Sequence, residues 1–252
     1  MSIISAETLF HFMKEFSFLE DILNNKFSPR YYKEQSVFFN EPVYILMKCF
    51  CDIPLSLVKK HIEQYGCYAI GFNKKWGMTN RINPINYYNE NSNFIHAIKI
   101  QYDACIDMIT NNKSINFDNF DLNRLKKALE YTFMNYKPVR IEAGAKDYYN
   151  EREWRYIPLK EEKDSIIIKK DNIKQLYLCS EIQEEKIEEY NETMKNYHVL
   201  NFELEDINFI IVKSNEEIRY LCKFFDTNYK DNPYREIVKT KIIKSEDIEM
   251  NF

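Results

Sequence analysis

Only four glycines occur in the 252 residues, and that scarcity excludes one large class of sites. Loops that wrap phosphates need several residues without a Cβ, so that backbone N–H groups can close on the anion. In keeping with this, there is no Walker loop, dinucleotide fingerprint, Gly-x-Ser-x-Gly or His-Glu-x-x-His. Positive charge is not in excess either. A net charge of −4 leaves no global field to hold a nucleic-acid backbone, although a local basic groove would be compatible with it. No run of about 18 apolar residues suggests a membrane span. The opening Met1-Ser2-Ile3-Ile4-Ser5-Ala6-Glu7 lacks the basic start and apolar stretch of a signal peptide. These absences predict a cytoplasmic protein with no membrane partner.

Six cysteines are present, at 49, 51, 67, 105, 179 and 222. In a cytoplasmic chain they are expected to be reduced thiols. Cys49-x-Cys51 with His61 and Cys67 invites a zinc reading, but the spacing does not fit the usual zinc knuckles. Strand alternation puts Cys49 and Cys51 on one face, where small core residues are the better account, so no metal is expected.

Apolar residues make up 45% of the chain and charged residues 29%, with 19 tyrosines and 18 phenylalanines. That is a globular composition with material for a full core. Thr8 to Phe12 reads as a strand and Glu15 to Asn25 as a helix, with Phe16, Leu19 and Leu23 at helical spacing. Phe27 to Tyr32 reads as irregular. Val43 to Cys51 has strand character. Asp52 reads as the N-cap of a helix carrying Leu55, Val58, Ile62 and Tyr65 on one face, and Gly66 as its stop. Tyr68 to Phe72 returns as a strand, and Asn80 to Asn93 reads as a loop.

Two amphipathic helices follow, one running from Ile95 to Ile109 and one from Leu122 to Phe133 with Asp121 as its cap. The second half is richer in strands, expected at 139–142, 152–158, 165–168, 175–179 and 209–212. Capping boxes at Ser180-x-x-Gln183 and Ser214-x-x-Glu217 open two more helices. No repeat or low-complexity linker divides the chain. The expected architecture is a single α+β domain over residues 1–227, with a mixed, mostly antiparallel sheet flanked by helices, and a polar extension over 228–252.

The densest charged and aromatic cluster is Glu151-Arg152-Glu153-Trp154-Arg155-Tyr156-Ile157-Pro158. On a strand, Glu151, Glu153, Arg155 and Ile157 share one face, and Arg152, Trp154 and Tyr156 the other. Two carboxylates and a guanidinium are costly to bury, so they call for either solvent or a site. An edge strand with solvated charges satisfies the spacing alone, with Trp154 in the core. His11, alone among apolar strand residues, reads first as a satisfied core histidine. Arg30, between Pro29 and Tyr31, reads either as an anion ligand or as a solvated loop residue.

Four segments together resemble the AbiGi family of abortive-infection, phage-resistance proteins. They are Leu9-Phe10-His11-Phe12 with its following helix, Cys49-Phe50-Cys51-Asp52-Ile53-Pro54-Leu55, Tyr68-Ala69-Ile70-Gly71-Phe72, and Tyr148 to Pro158. The likeness runs over about residues 8–225. It implies a role in bacterial phage defence as the antitoxin-like member of a toxin–antitoxin pair, with a cognate toxin or the product of a neighbouring gene as partner. After His11-Phe12 this chain has Met13 where the family leads one to expect threonine.

The same layout is more distantly similar to NAD-using ADP-ribosyltransferases. That resemblance implies an ADP-ribosyltransferase-like fold, NAD as cofactor, and a nucleic-acid or protein acceptor. It also assigns roles: His11 on the first strand would contact the NAD ribose, and Glu153, within Glu151-Arg152-Glu153, would be the catalytic carboxylate. A carboxylate beside that ribose stabilises the oxocarbenium character that develops as the nicotinamide bond breaks. Arg30 and Arg155 would help bind substrate, and Tyr31, Tyr32 or Tyr44 would stack on the nicotinamide.

Overall fold

The computed structural model describes residues 6–34, 38, 43–111, 122–139, 148–158, 178–179 and 184–251. Its strands are β1 (Thr8–Met13), β2 (Arg30–Glu34), β3 (Val43–Cys51), β4 (Tyr68–Asn73), β5 (Asn83–Pro84), β6 (Asn86–Tyr88), β7 (Tyr136–Pro138), β8 (Glu153–Tyr156), β9 (Leu178–Cys179), β10 (Ile207–Val212) and β11 (Ile242–Lys244). Its helices are α1 (Phe16–Asn25), α2 (Lys59–Tyr65), α3 (Lys74–Thr79), α4 (Asn93–Thr110), α5 (Leu122–Met134), α6 (Ile187–Met194), α7 (Asn215–Asn228), α8 (Arg235–Lys239) and α9 (Ser245–Asn251). The fold is α+β, as expected. Among the described residues no helix is long and apolar enough to cross a membrane.

Among the described residues, nine strands form one open sheet in the order β11-β10-β4-β1-β3-β8-β5, with β2 and β9 also paired to β3. Its pairings are antiparallel apart from β10 with β11. The run Val-Tyr-Ile-Leu-Met-Lys-Cys-Phe-Cys explains why β3 is the hub. Its side chains are buried on both faces apart from half-buried Cys49, which suits a strand covered by helices on each side.

One face of the sheet packs Leu9, Phe50, Ile70 and Phe72 under α1, α3, α7 and α8, through Leu19, Trp76, Phe225 and Val238. The other face carries two separate clusters. Phe10, Cys51, Ala69 and Ile211 pack with Val58 and Ile62 of the α2 region and with Ile248 of α9. Val43, Ile45 and Met47 pack with Met134 of α5 and with Ile157. Gly71 is required where β4 crosses under Phe10, because a Cβ there would come within 2.7 Å of that ring. Gly66 ends α2 at φ 115°, a conformation that suits glycine, and its Cβ would collide with the carbonyl of Met13.

The strand–helix–strand unit β3–α2–β4 forms, but β1 lies between its two strands. Ser214 and Glu217 make the expected capping box of α7. Four expectations need correction. Asp52 is not a helix cap: the N-cap position falls at Pro54, and the Asp52 carboxylate accepts from the Ala6 N–H at 2.9 Å and from Lys74 Nζ at 2.7 Å. Arg30, Tyr31 and Tyr32 stand in β2 rather than in an irregular stretch. The presumed loop 80–93 contains β5 and β6, which add short pairings to β8 and β7. The polar segment from 228 onward supplies α8, β11 and α9, and buries Val238 and Ile248. Asp121, the strand expected at 165–168 and the capping box at 180–183 lie outside the described residues.

Candidate functional site: a buried carboxylate network

The segment Glu151 to Ile157 is carried by a 3-10 turn, Tyr148–Glu151, that runs into β8. Arg152 joins them at φ 45°, and its carbonyl accepts from the Asp52 N–H at 3.0 Å. The kink leaves Glu151 and Glu153 on the same buried side, each 7% exposed, with Arg155 at 1% and Ile157 at 4%. Arg152, Trp154 and Tyr156 on the other face are half-buried. The alternation is the expected one, but solvated edge charges are not what it produces. Pairing with β3 on one side and β5 on the other, under α5, shuts water out.

Buried charges persist only when paired, and the pairing is dense. Lys137 Nζ, from β7, lies 2.9 Å from both Glu151 Oε2 and Glu153 Oε2. Tyr65 donates its hydroxyl to Glu151 Oε1 at 2.6 Å. Arg155 Nε meets Glu153 Oε1 at 2.6 Å, while its other nitrogens reach Glu34 Oε2 at 3.1 Å and the Met134 carbonyl at 2.8 Å. The Lys137 ammonium also sits 4.5 Å from the Tyr148 ring centre. The network therefore ties β2, β7, β8, α2 and α5 together.

Burial alone would raise the Glu153 pKa, but the adjacent Arg155 and Lys137 outweigh it and hold the pKa at about 2. Burial opposes the charge on Lys137 and Arg155, and the surrounding glutamates more than restore it, so both pKa values are raised. Burial and the bond to Glu151 push the Tyr65 hydroxyl up. The Cys49 and Cys51 thiols are raised chiefly by burial, which makes them poor nucleophiles at neutral pH.

Beside the network lies a cavity of about 320 Å³. It opens between the two clusters on this side of the sheet. Phe10, Phe12, Met47, Cys49 and Cys51 contribute from β1 and β3, His61 and Tyr65 from α2, and Tyr32 and Glu34 from β2. Lys137, Glu151 and Glu153 form its charged end.

His11 also contributes to the lining, but its ring does not join Glu153. Phe10 pairs with Cys51, and Cys51 with Glu153. By alternation, His11 therefore points to the opposite face of the sheet from Glu153. There it packs against Phe27 and Phe50, and its Nδ1 bonds the Cys49 carbonyl at 2.8 Å, where β1 and β3 part. Burial and the positive charge of Lys48 lower its pKa, against the carbonyl bond. This is the satisfied core histidine, and the transferase-like pairing of His11 with Glu153 is not formed.

The other expected residues divide in the same way. Tyr31 and Tyr44 are buried on the far face with Leu46 and Met194, and the Tyr31 N–H bonds Asn191. Arg30 pairs with Glu188 in solvent. Arg155 is beside Glu153 but is spent on internal partners. Of the three tyrosines, Tyr32 reaches the cavity. Lys137, Glu34 and Tyr65 were not legible as site residues. The available signal was charge accounting, since two carboxylates on one buried face demand cations from elsewhere in the chain. Among the described residues no three His, Cys, Asp or Glu side chains converge as metal ligands would.

Comparison with known proteins places the chain in a family. Residues 20–213 match the model of the family described as abortive phage resistance protein AbiGi, antitoxin. The abortive phage resistance protein AbiGi of Lactococcus lactis subsp. cremoris is 29% identical over 254 residues, covering 88% of this chain and 98% of the relative. No solved structure matches.

Proposed function

Because the chain belongs to the AbiGi family of abortive phage resistance proteins, we propose that it acts in phage defence as the antitoxin-like member of a toxin–antitoxin pair, restraining a cognate partner protein by binding it. The observation that carries this reading is the family match over residues 20–213, which takes in the strands β2 to β10 and the whole carboxylate network. The chemistry of that network supports a binding protein. Glu151 and Glu153 are held by Lys137, Tyr65 and Arg155, an arrangement that braces the fold, and His11 faces away from them.

Expression of the neighbouring gene with and without this chain tests the proposal. The neighbour alone is expected to arrest growth, co-expression to relieve the arrest, and the two proteins to co-purify. A harmless neighbour that never co-purifies with this chain would overturn the pairing.

A further inference from the structure

Four rings run in a belt along the cavity beside the network. The ring centres of Phe10 and Phe12 are 5.8 Å apart, those of Phe12 and His61 5.9 Å, and those of His61 and Tyr65 5.8 Å, the pairs being tilted by 35°, 42° and 39°. All three spacings fall within the roughly 4.5–7 Å of attractive ring pairs. The strand β3 supplies a second row to the same cavity, Met47, Cys49 and Cys51. These occupy alternate positions, so their sulfurs share one side of the strand. Sulfur is polarisable and packs favourably against aromatic rings, so both rows suit a flat π-system. The volume, about 320 Å³, falls at the lower end of the roughly 300–1,000 Å³ typical of ligand pockets, which is room for a small molecule only.

The charged end of the cavity does not call for a counter-ion. Each of its carboxylates already contacts a cation: Glu151 and Glu153 share Lys137, and Arg155 bonds Glu153 and Glu34. A charged ligand would give up its hydration and find the opposite charges engaged. The Cys49 and Cys51 thiols add no charge, because burial raises their pKa values. The lining therefore selects for neutrality as well as flatness. Tyr32 also lines the cavity and is 38% exposed, which places it at the mouth. We propose that this cavity binds a small uncharged planar aromatic molecule, a single ring or a fused pair, packed against the Phe12 ring and the β3 sulfurs. This goes beyond restraint of a protein partner, and its test needs no partner.

Benzyl alcohol, benzylammonium and benzoate are alike in shape and differ in charge, while cyclohexylmethanol matches benzyl alcohol without the flat ring. Ligand-observed NMR with the full chain is expected to show saturable binding of benzyl alcohol, in about the millimolar range for so small a molecule. Cyclohexylmethanol is expected to bind about threefold or more weakly, and the two ions not at all at the same concentrations. Phe12→Leu, at a half-buried position, removes the ring and keeps an apolar side chain. It is expected to weaken benzyl alcohol about three- to tenfold, the worth of one aromatic pair, with little effect on cyclohexylmethanol. Cys49→Leu, also at a half-buried position, fills the space beside the sulfur row and serves should Phe12→Leu fail to fold. It is expected to abolish binding. No saturable binding of benzyl alcohol, equal binding of either ion or of cyclohexylmethanol, or an affinity unchanged by the folded variants would each overturn the proposal.

Discussion

Glu153 and Arg155 stand two positions apart on β8, joined by a 2.6 Å bond from Arg155 Nε to Glu153 Oε1, with the side chains 8% and 0% exposed. Side chains at i and i+2 point the same way on a strand, so the backbone itself delivers carboxylate and guanidinium to one another. The planar fork of Arg155 then has nitrogens to spare for Glu34 and the Met134 carbonyl. One side chain thus links β2, β8 and the end of α5.

Removing that link should be expensive. Arg155→Met is expected to destabilise the protein by about 3–5 kcal/mol, because it strips a partner from buried carboxylates. Arg155→Lys should recover only part of this, since an ammonium cannot make the forked contacts. Urea denaturation of the three proteins measures it. A loss under about 1 kcal/mol for Arg155→Met, as at a surface pair, would show that the network does not brace the fold.

Acid should dismantle the same network. The Glu153 pKa is about 2 in the folded chain against an ordinary 4.5. A depressed folded value means that the unfolded chain binds the proton first. The stabilisation is therefore complete above about pH 4.5 and is lost as pH falls toward 2. Glu153→Gln should be less stable than the parent at neutral pH and converge with it at low pH. Stability curves that stay parallel down to pH 2 would contradict the assignment.

His11 should have an acid dependence of its own at milder pH. Its folded pKa lies well below the ordinary 6.5, so the unfolded chain is protonated while the folded chain is not. Its contribution is present above pH 6.5 and falls away as pH drops below it. His11→Gln, which can still bond the Cys49 carbonyl, is expected to flatten that slope with little loss at pH 8. Because His11 and Glu153 face opposite sides of the sheet, labelled NAD incubated with cell extract and this protein is expected to yield no labelled product. Labelling abolished by both His11→Gln and Glu153→Gln would refute this.

The C-terminal segment should not be dispensable. β11 pairs in parallel with β10 through Ile210↔Ile242, Ile211↔Ile243 and Val212↔Lys244, and Ile248 of α9 is 2% exposed in the core. Truncation after Thr240 uncovers the β10 edge and part of one core cluster. The shortened chain is expected to melt markedly lower and to aggregate. A truncated protein with unchanged melting temperature and solubility would count against this account.

What the sequence determined by itself was local. Short apolar runs set out β1, β3, β4 and β10, helical spacing set out α1, α4, α5 and α7, and Ser214 with Glu217 marked a helix start, because each depends on residues within one or two turns of chain. The quoted segments also carried the family. Tertiary structure decided the rest. That Glu151 and Glu153 are buried depends on β3 and β5 flanking β8 and on Lys137 arriving from a different element. Asp52, which reads locally as a cap, serves Ala6 and Lys74 instead. The segment Glu151 to Ile157 is therefore the interior anchor of the sheet rather than its solvated margin. The reason is physical: whether a charge is solvated or paired depends on which strand lands beside it, and the spacing of residues along one strand carries no record of its neighbours.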